Sequence, residues 1–270
     1  MRFCANVSML FKEVGLLERF GRASEAGFAA VEFWWPSGED VGRVEAAVKD
    51  AGLQVPLFNF DAGDMPGGDR GLLSDPNRQD QFRDNVPVAL ELAKSLGCPR
   101  LNALVGLELE GMDASEQLEL ARDNVAWAAD QAASHGIEVM IEAVNTFENG
   151  PYLLPSTGAA ARFIEQVGRE NVKLQYDAYQ MQRMEGNIVA TLRDHADRIA
   201  HIQIADSPDR GEPGTGELNY AYILGVIDEL DYDGWIGLEY NPTTESTEDS
   251  LGWLPRSKRG GEVRVEDLEL

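Results

Sequence analysis

Four polar residues interrupt apolar runs at places where they could do chemistry together. Glu142 closes Val139-Met140-Ile141-Glu142, and Asp177 closes Val172-Lys173-Leu174-Gln175-Tyr176-Asp177. Gln203 lies in His201-Ile202-Gln203-Ile204, and Glu239 closes Trp235-Ile236-Gly237-Leu238-Glu239. Each run reads as a short strand, so each polar residue would stand near a strand end. Adjacent strands are about 4.8 Å apart, and neighbouring ends can therefore converge on one point. Three carboxylates brought together repel and raise one another's pKa. A divalent cation removes that conflict, and three carboxylates plus an amide oxygen suit a hard ion, Mg²⁺ or Mn²⁺. A single strand-end acid is explained as well by a salt bridge to a nearby Arg. Four at successive strand ends are harder to explain that way.

Basic residues in the following loops could hold an anionic substrate. Arg70 lies in Gly67-Gly68-Asp69-Arg70-Gly71, Arg183 in Gln182-Arg183-Met184, and Arg210 in Asp209-Arg210-Gly211. A guanidinium binds a carboxylate through two parallel hydrogen bonds, which Lys cannot do. The competing reading pairs each Arg with an acid of its own loop. The run Gly211-Glu212-Pro213-Gly214-Thr215-Gly216-Glu217 lacks the Lys-Ser/Thr of a phosphate-binding loop and reads as a shaped turn or lid. Trp34 and Trp35 could wall a site or pack on a neighbour. Histidine is scarce: only His135, His195 and His201. His201 is expected on the strand face opposite Gln203, packed under a helix, so carboxylates are left as the proton carriers.

The elements that must position these residues alternate along the chain. Candidate strands are 3–7, 30–34, 55–60, 100–105, 138–143, 172–177, 199–205 and 235–240. Amphipathic helical patterns separate them, most ending at a glycine such as Gly27, Gly52, Gly97, Gly136 or Gly168. Asp113 begins an Asp-x-x-Glu cap for the fourth helix. The pattern near Ile188 to His195 is the least regular. Strand–helix alternation implies right-handed βαβ units and a parallel sheet, and eight units favour a closed (β/α)8 TIM barrel of one domain. No G-x-G-x-x-G follows the first strand, which argues against a dinucleotide site. The barrel is expected over residues 1–254. Residues 255–270 read as a charged tail, either disordered or docked on a neighbouring subunit.

The formal net charge of −24 opposes nucleic acid and anionic membranes as partners. A small anion stays admissible, because local arginines and a metal can reverse the field inside one cleft. Two cysteines, Cys4 and Cys98, form no framework. With no signal-like start and no run of ~20 apolar residues, the expectation is a cytoplasmic protein with reduced thiols.

Taken together, the motifs resemble the hydroxypyruvate isomerase family of the xylose-isomerase-like barrels, over about residues 2–254. The resemblance rests on Ala5-Asn6-Val7-Ser8-Met9-Leu10-Phe11, Val31-Glu32-Phe33, Ala62-Gly63-Asp64 with Arg70-Gly71, and Asn102-Ala103-Leu104-Val105-Gly106. It continues in Gln175-Tyr176-Asp177, Met181 to Gly186, and Gln203 through Glu217. It implies a metal site at Glu142, Asp177, Gln203 and Glu239, with Glu142 and Glu239 as the proton-transfer pair. It also implies substrate contacts at Asn6, Arg70, Gln180, Arg183 and Arg210, and leaves a homo-oligomer open. The chain departs from the family pattern at Phe58 and Gln180, where relatives carry His, and at Leu107, where they carry Lys. These departures leave the reaction class standing and bear on the substrate.

The expected reaction is aldose–ketose isomerisation of a small hydroxycarbonyl acid, hydroxypyruvate to tartronate semialdehyde, by Glu-mediated proton transfer through an enediolate. The alternative keeps the site and changes the substrate to a related 2-oxo acid or a ketose epimerised at carbon three. Two rival classes are a DNA-repair endonuclease on the same barrel and a barrel that binds a small acid without turning it over. Scarce histidine and the acidic charge argue against the first.

Overall fold

The computed structural model describes residues 1–270. Eight parallel strands run β1 (Arg2–Asn6), β2 (Val31–Glu32), β3 (Phe58–Asn59), β4 (Arg100–Asn102), β5 (Glu138–Glu142), β6 (Val172–Asp177), β7 (Ile199–Ile204) and β8 (Trp235–Leu238). The hydrogen-bonded order is β2-β1-β8-β7-β6-β5-β4-β3. The remaining seam, between the segments of β2 and β3, is closed by two isolated bridges, Ala30 to Gln54 and Phe33 to Phe58, with the Asn59 amide donating to the Phe33 carbonyl at 3.1 Å. The result is the expected single (β/α)8 barrel.

Helices α1 (Leu16–Glu25), α2 (Val41–Asp50), α3 (Gln79–Leu96) and α4 (Ala114–Ala133) cover the first half, and α6 (Thr157–Val167), α8 (Ile188–Asp194) and α9 (Tyr220–Glu229) the second. Short helices α5 (Thr146–Asn149), α7 (Ala178–Met184) and α10 (Thr247–Ser250) follow β5, β6 and β8. Cap chemistry sets several starts: Asp40, Asp113, Ser156 and Asn219 each accept a backbone N–H of the first turn through their side chains. Gly97 and Gly168 end α3 and α6 in the left-handed conformation, where a side chain would clash.

Outward-facing strand residues such as Phe3, Val31, Phe33, Phe58, Leu101 and Ile202 belong to one continuous apolar core. Phe33 stacks on Phe58 at 5.2 Å, with the Phe20 ring of α1 edge-on to Phe33. The departure at Phe58 is thus a packing substitution outside the barrel mouth.

Residues 255–270 are neither disordered nor free. The N-terminal ammonium donates to the Val263 carbonyl at 2.9 Å, and the buried Arg259 guanidinium donates to the carbonyls of Ala26, Leu251 and Leu254. The segment packs on its own barrel, with Arg259 bridging the end of α1 at Ala26 and the turn that follows α10.

Candidate active site

Alternate residues of each strand face the barrel axis. From β5, β6 and the residue after β8, this puts Glu142, Asp177 and Glu239 at the C-terminal mouth, with ligand atoms all within 4.8 Å of one another. All three are buried. Asp177 is also the N-cap of α7, accepting the Tyr179 and Gln180 amides at 2.8 and 3.3 Å. Glu142 accepts from Asn102 Nδ2 at 2.8 Å and from Gln175 Nε2 at 3.0 Å. Glu239 accepts from Trp34 Nε1 at 2.8 Å, Asn6 Nδ2 at 3.2 Å and Arg210 Nη2 at 2.6 Å.

One guanidinium serves three carboxylates. Arg210 sits 3.5 Å from Asp177 as well as pairing with Glu239, and its plane covers the Tyr179 ring at 5.2 Å. Burial works against its charge, but Glu239, Asp177 and Glu142 outweigh burial and raise its pKa. The acids are left short of positive charge. Burial, then Glu239 and Asp177, push the Glu142 carboxyl well above the ordinary range. Burial also raises Asp177, against the pull of Arg210. Glu239 is pushed up to about 7, by burial first, with Asp177 and Glu32 adding to it and Arg210 opposing.

The layer below is a chain of amides around a buried glutamate hydrogen-bonded to a histidine. Glu32 is fully enclosed and accepts His201 Nε2 at 2.6 Å, Gln203 Nε2 at 2.6 Å and Asn6 Nδ2 at 3.0 Å. Burial alone would raise its pKa, but His201 and the two amides outweigh burial and hold it below the usual carboxylate range. Gln203 Oε1 in turn accepts Gln175 Nε2 at 2.7 Å. His201 therefore faces the barrel axis and pairs with Glu32, and does not pack under a helix. It stands two residues from Gln203, and a strand repeats every two residues, so both share one face. Glu32 carries the same signal that marks Glu142, an acid inside an apolar run, and sequence reading assigns it no role.

Above the carboxylates lies a cavity of about 180 Å³, lined in part by Trp34, Asn59, Arg70, Gln180, Arg210 and Glu239. Arg70 Nε donates to Asn149 Oδ1 at 2.6 Å and its Nη1 to two loop carbonyls, leaving Nη2 without a protein acceptor. Gln180 Oε1 accepts both the backbone and side-chain N–H of Asn145, leaving its own NH₂ without one. Two of the expected contacts, Asn6 and Arg183, are not in the cavity lining, and neither is the departure at Leu107. Asn6 spends both N–H donors on Glu32 and Glu239, and its Oδ1 accepts the Ser8 amide. Arg183 lies over the exposed Phe147 ring at 5.5 Å, outside the cavity lining. Leu107 pairs with Tyr152 through a backbone bridge and does not line the cavity.

The glycine-bearing loop is a built turn around one carboxylate: Asp206 accepts the amides of Ser207, Gly214, Gly216 and Leu218. A Cβ at Gly216 would lie 2.0 Å from the Ser207 carbonyl oxygen, which is why glycine stands there. This turn presents Arg210, itself in the left-handed region at φ +58°.

A cation fits this set of residues. The donors are carboxylate and amide oxygens, and one guanidinium leaves them in excess. Two buried acceptors in the same layer, Asn102 Oδ1 and Gln175 Oε1, find no donor at all.

The comparisons with known proteins place the chain in a family of barrels of this fold. The xylose isomerase-like TIM barrel family model matches residues 20–257. Among curated proteins, the chain is similar to hydroxypyruvate isomerase of Escherichia coli (42% identity, covering 94% of this chain and 98% of that protein). It is similar to 2-oxo-tetronate isomerase of Cupriavidus necator (40% identity, covering 94% and 97%). Among solved structures it is similar to a protein of Brucella melitensis described as AP endonuclease, family 2, with TM-score 0.88 and 40% identity over 93% of this chain and 97% of that one. No helix is long and apolar enough to cross a membrane.

Proposed function

The chain belongs to the xylose isomerase-like TIM barrel family, and we propose that it isomerises hydroxypyruvate to tartronate semialdehyde with Glu142 and Glu239 as the proton-transfer pair. The observation that carries this reading is the buried trio Glu142, Asp177 and Glu239 at the floor of a cavity whose upper wall offers Arg70. Glu142, Asp177, Gln203 and Glu239 would hold a divalent ion, Mg²⁺ or Mn²⁺. When bound, such an ion polarises the substrate carbonyl as a Lewis acid.

This chain's residues do the rest. The free Nη2 of Arg70 receives the substrate carboxylate, and the Gln180 NH₂ donates to a substrate oxygen. One glutamate takes the proton from the hydroxyl-bearing carbon, giving an enediolate. The other returns a proton to the adjacent carbon, and the hydroxyl proton passes from the first carbon's oxygen to the second carbon's oxygen, so that the alcohol becomes the aldehyde and the ketone the alcohol. Burial raises both carboxyls above the ordinary carboxylate range in the metal-free protein, so each can carry a proton as well as accept one. Trp34 and the Arg210 turn cover the reacting atoms and limit water.

A four-carbon 2-oxo acid is the second reading. It is favoured by the similarity to 2-oxo-tetronate isomerases and by Gln180, a neutral amide at the cavity wall. An endonuclease must draw a polyanion onto its surface, which a net charge of −24 opposes. The test is turnover of metal-loaded and metal-stripped protein on hydroxypyruvate and on 2-oxo-tetronate. Higher kcat/KM on hydroxypyruvate is expected. A reversal of that order assigns the four-carbon acid, and turnover unaffected by stripping removes the metal from the account.

A further inference from the structure

Glu32 lies below the mouth, reaches no cavity and touches no proposed reacting group, yet strand β8 is shaped around it. A Cβ at Gly237 would fall 2.4 Å from both Glu32 carboxylate oxygens. The barrel layer thus omits one side chain to seat a carboxylate. That carboxylate accepts donors from β1 and β7: Cys4 Sγ at 3.4 Å, Asn6 Nδ2, His201 Nε2 and Gln203 Nε2.

The bond to Gln203 has a specific consequence. A glutamine amide can present either its oxygen or its NH₂ to a given neighbour, and only the oxygen can ligate a cation. A carboxylate below it accepts only, so the NH₂ must point to Glu32 and Oε1 away from it, where it accepts from Gln175. The same carboxylate holds Asn6, whose NH₂ bridges Glu32 Oε1 and Glu239 Oε1. On the other side, Gln175 Nε2 bridges Gln203 Oε1 and Glu142 Oε2. An unbroken path of hydrogen bonds therefore runs Glu239–Asn6–Glu32–Gln203–Gln175–Glu142.

We propose that Glu32 is a positioning residue, which fixes the amide oxygen of Gln203 toward the carboxylate trio and so makes glutamine a competent cation ligand on β7. The inference rests on the cation site described under Proposed function. Partners that orient ligands typically change metal affinity by about 10–100-fold.

The experiment measures Mn²⁺ affinity by calorimetry and by EPR on wild type, Glu32→Gln, Gln203→Glu and the double exchange Glu32→Gln/Gln203→Glu. Circular dichroism and thermal melts confirm folding. In Glu32→Gln the new amide can donate or accept, so Gln203 is released to flip, and affinity is expected to fall about 10–100-fold. In the double exchange the carboxylate moves to β7 and the amide below donates to it. Affinity should then return to within a few-fold of wild type, and exceed that of Gln203→Glu alone, where two carboxylates face each other. If Glu32→Gln does not fold, the comparison of Gln203→Glu with the charge-conserving double exchange decides the matter alone. Equal affinity in wild type and Glu32→Gln, or a Gln203→Glu protein binding as tightly as the double exchange, overturns the positioning role and leaves the cation site standing. A wild type that binds no Mn²⁺ overturns both.

Discussion

Removing metal from the protein and raising the pH should destabilise it, and the size of the effect follows from Glu239. Its carboxyl moves from an ordinary 4.5 to about 7 in the folded chain, so the fold binds a proton there that the unfolded chain has released. A raised acid stabilises the fold fully below the unfolded pKa, and that contribution is lost as pH climbs through the folded one. One pKa unit corresponds to about 1.4 kcal/mol, so Glu239 alone costs about 2–3 kcal/mol between pH 5 and 8. For a chain of this size that is a fall in Tm of roughly 5–12 °C. Glu142 is raised as well and adds in the same direction. Acids held below their ordinary range, such as Glu13 and Glu32, lose stability only as pH falls, below this window. The assay is thermal and urea unfolding of EDTA-treated protein at pH 5, 6, 7 and 8, beside Glu239→Gln. Wild type should lose stability across the series, Glu239→Gln should lose markedly less, and Mn²⁺ should restore wild type at pH 8 by binding the folded state. Stability that is flat or rises with pH, or an equal slope in Glu239→Gln, refutes the reasoning.

Other consequences are separable. Glu142→Gln should keep the fold and lower kcat by about 10²–10⁴-fold, the usual worth of one general acid–base group; a kcat within a few-fold of wild type, in steady-state assays, would remove Glu142 from the proton path. Arg70→Ala forfeits a charge-assisted hydrogen bond of about 1.5–3 kcal/mol, so kcat/KM should fall about 10–100-fold, chiefly through KM, while Arg183→Ala, outside the cavity, should change little. Gly237→Ala drives a methyl into the Glu32 carboxylate and should cost about 1–3 kcal/mol of stability, measured by urea unfolding; an unchanged midpoint would show that the seat around Glu32 is loose.

The barrel is legible in the sequence because its signal is repeated. Eight apolar runs separated by glycine-ended helical patterns leave few other topologies, and the strand-end acids stand out as charges against an apolar period. Strand lengths are not legible at β2 and β3, expected over 30–34 and 55–60. Only two residues of each pair in the regular ladder, because the seam between these segments is held by isolated bridges at Ala30–Gln54 and Phe33–Phe58 and not by a continuous ladder. The mouth acids can be read one strand at a time, whereas the layer beneath them cannot. Asn6, Glu32, Gln175 and His201 acquire their roles only from partners on other strands. A miscounted strand period puts His201 on the wrong face. Asn6 looks like a substrate contact by family likeness, and in the structure both of its N–H donors bridge Glu32 and Glu239. The tail reads as charged and loose, but Arg259 anchors it through three carbonyls that no sequence pattern reveals.

The central claim is that two different glutamates at the barrel mouth remove and return a proton on adjacent carbons. It is tested most directly by running the reaction on hydroxypyruvate in D₂O and following substrate and product by NMR. The account predicts a carbon-bound deuterium at the newly formed C–H of tartronate semialdehyde, formed about 10²–10⁴-fold more slowly in Glu142→Gln. Product formed with its original hydrogen retained at that carbon would mean that hydrogen passes directly between the carbons, and would contradict the account.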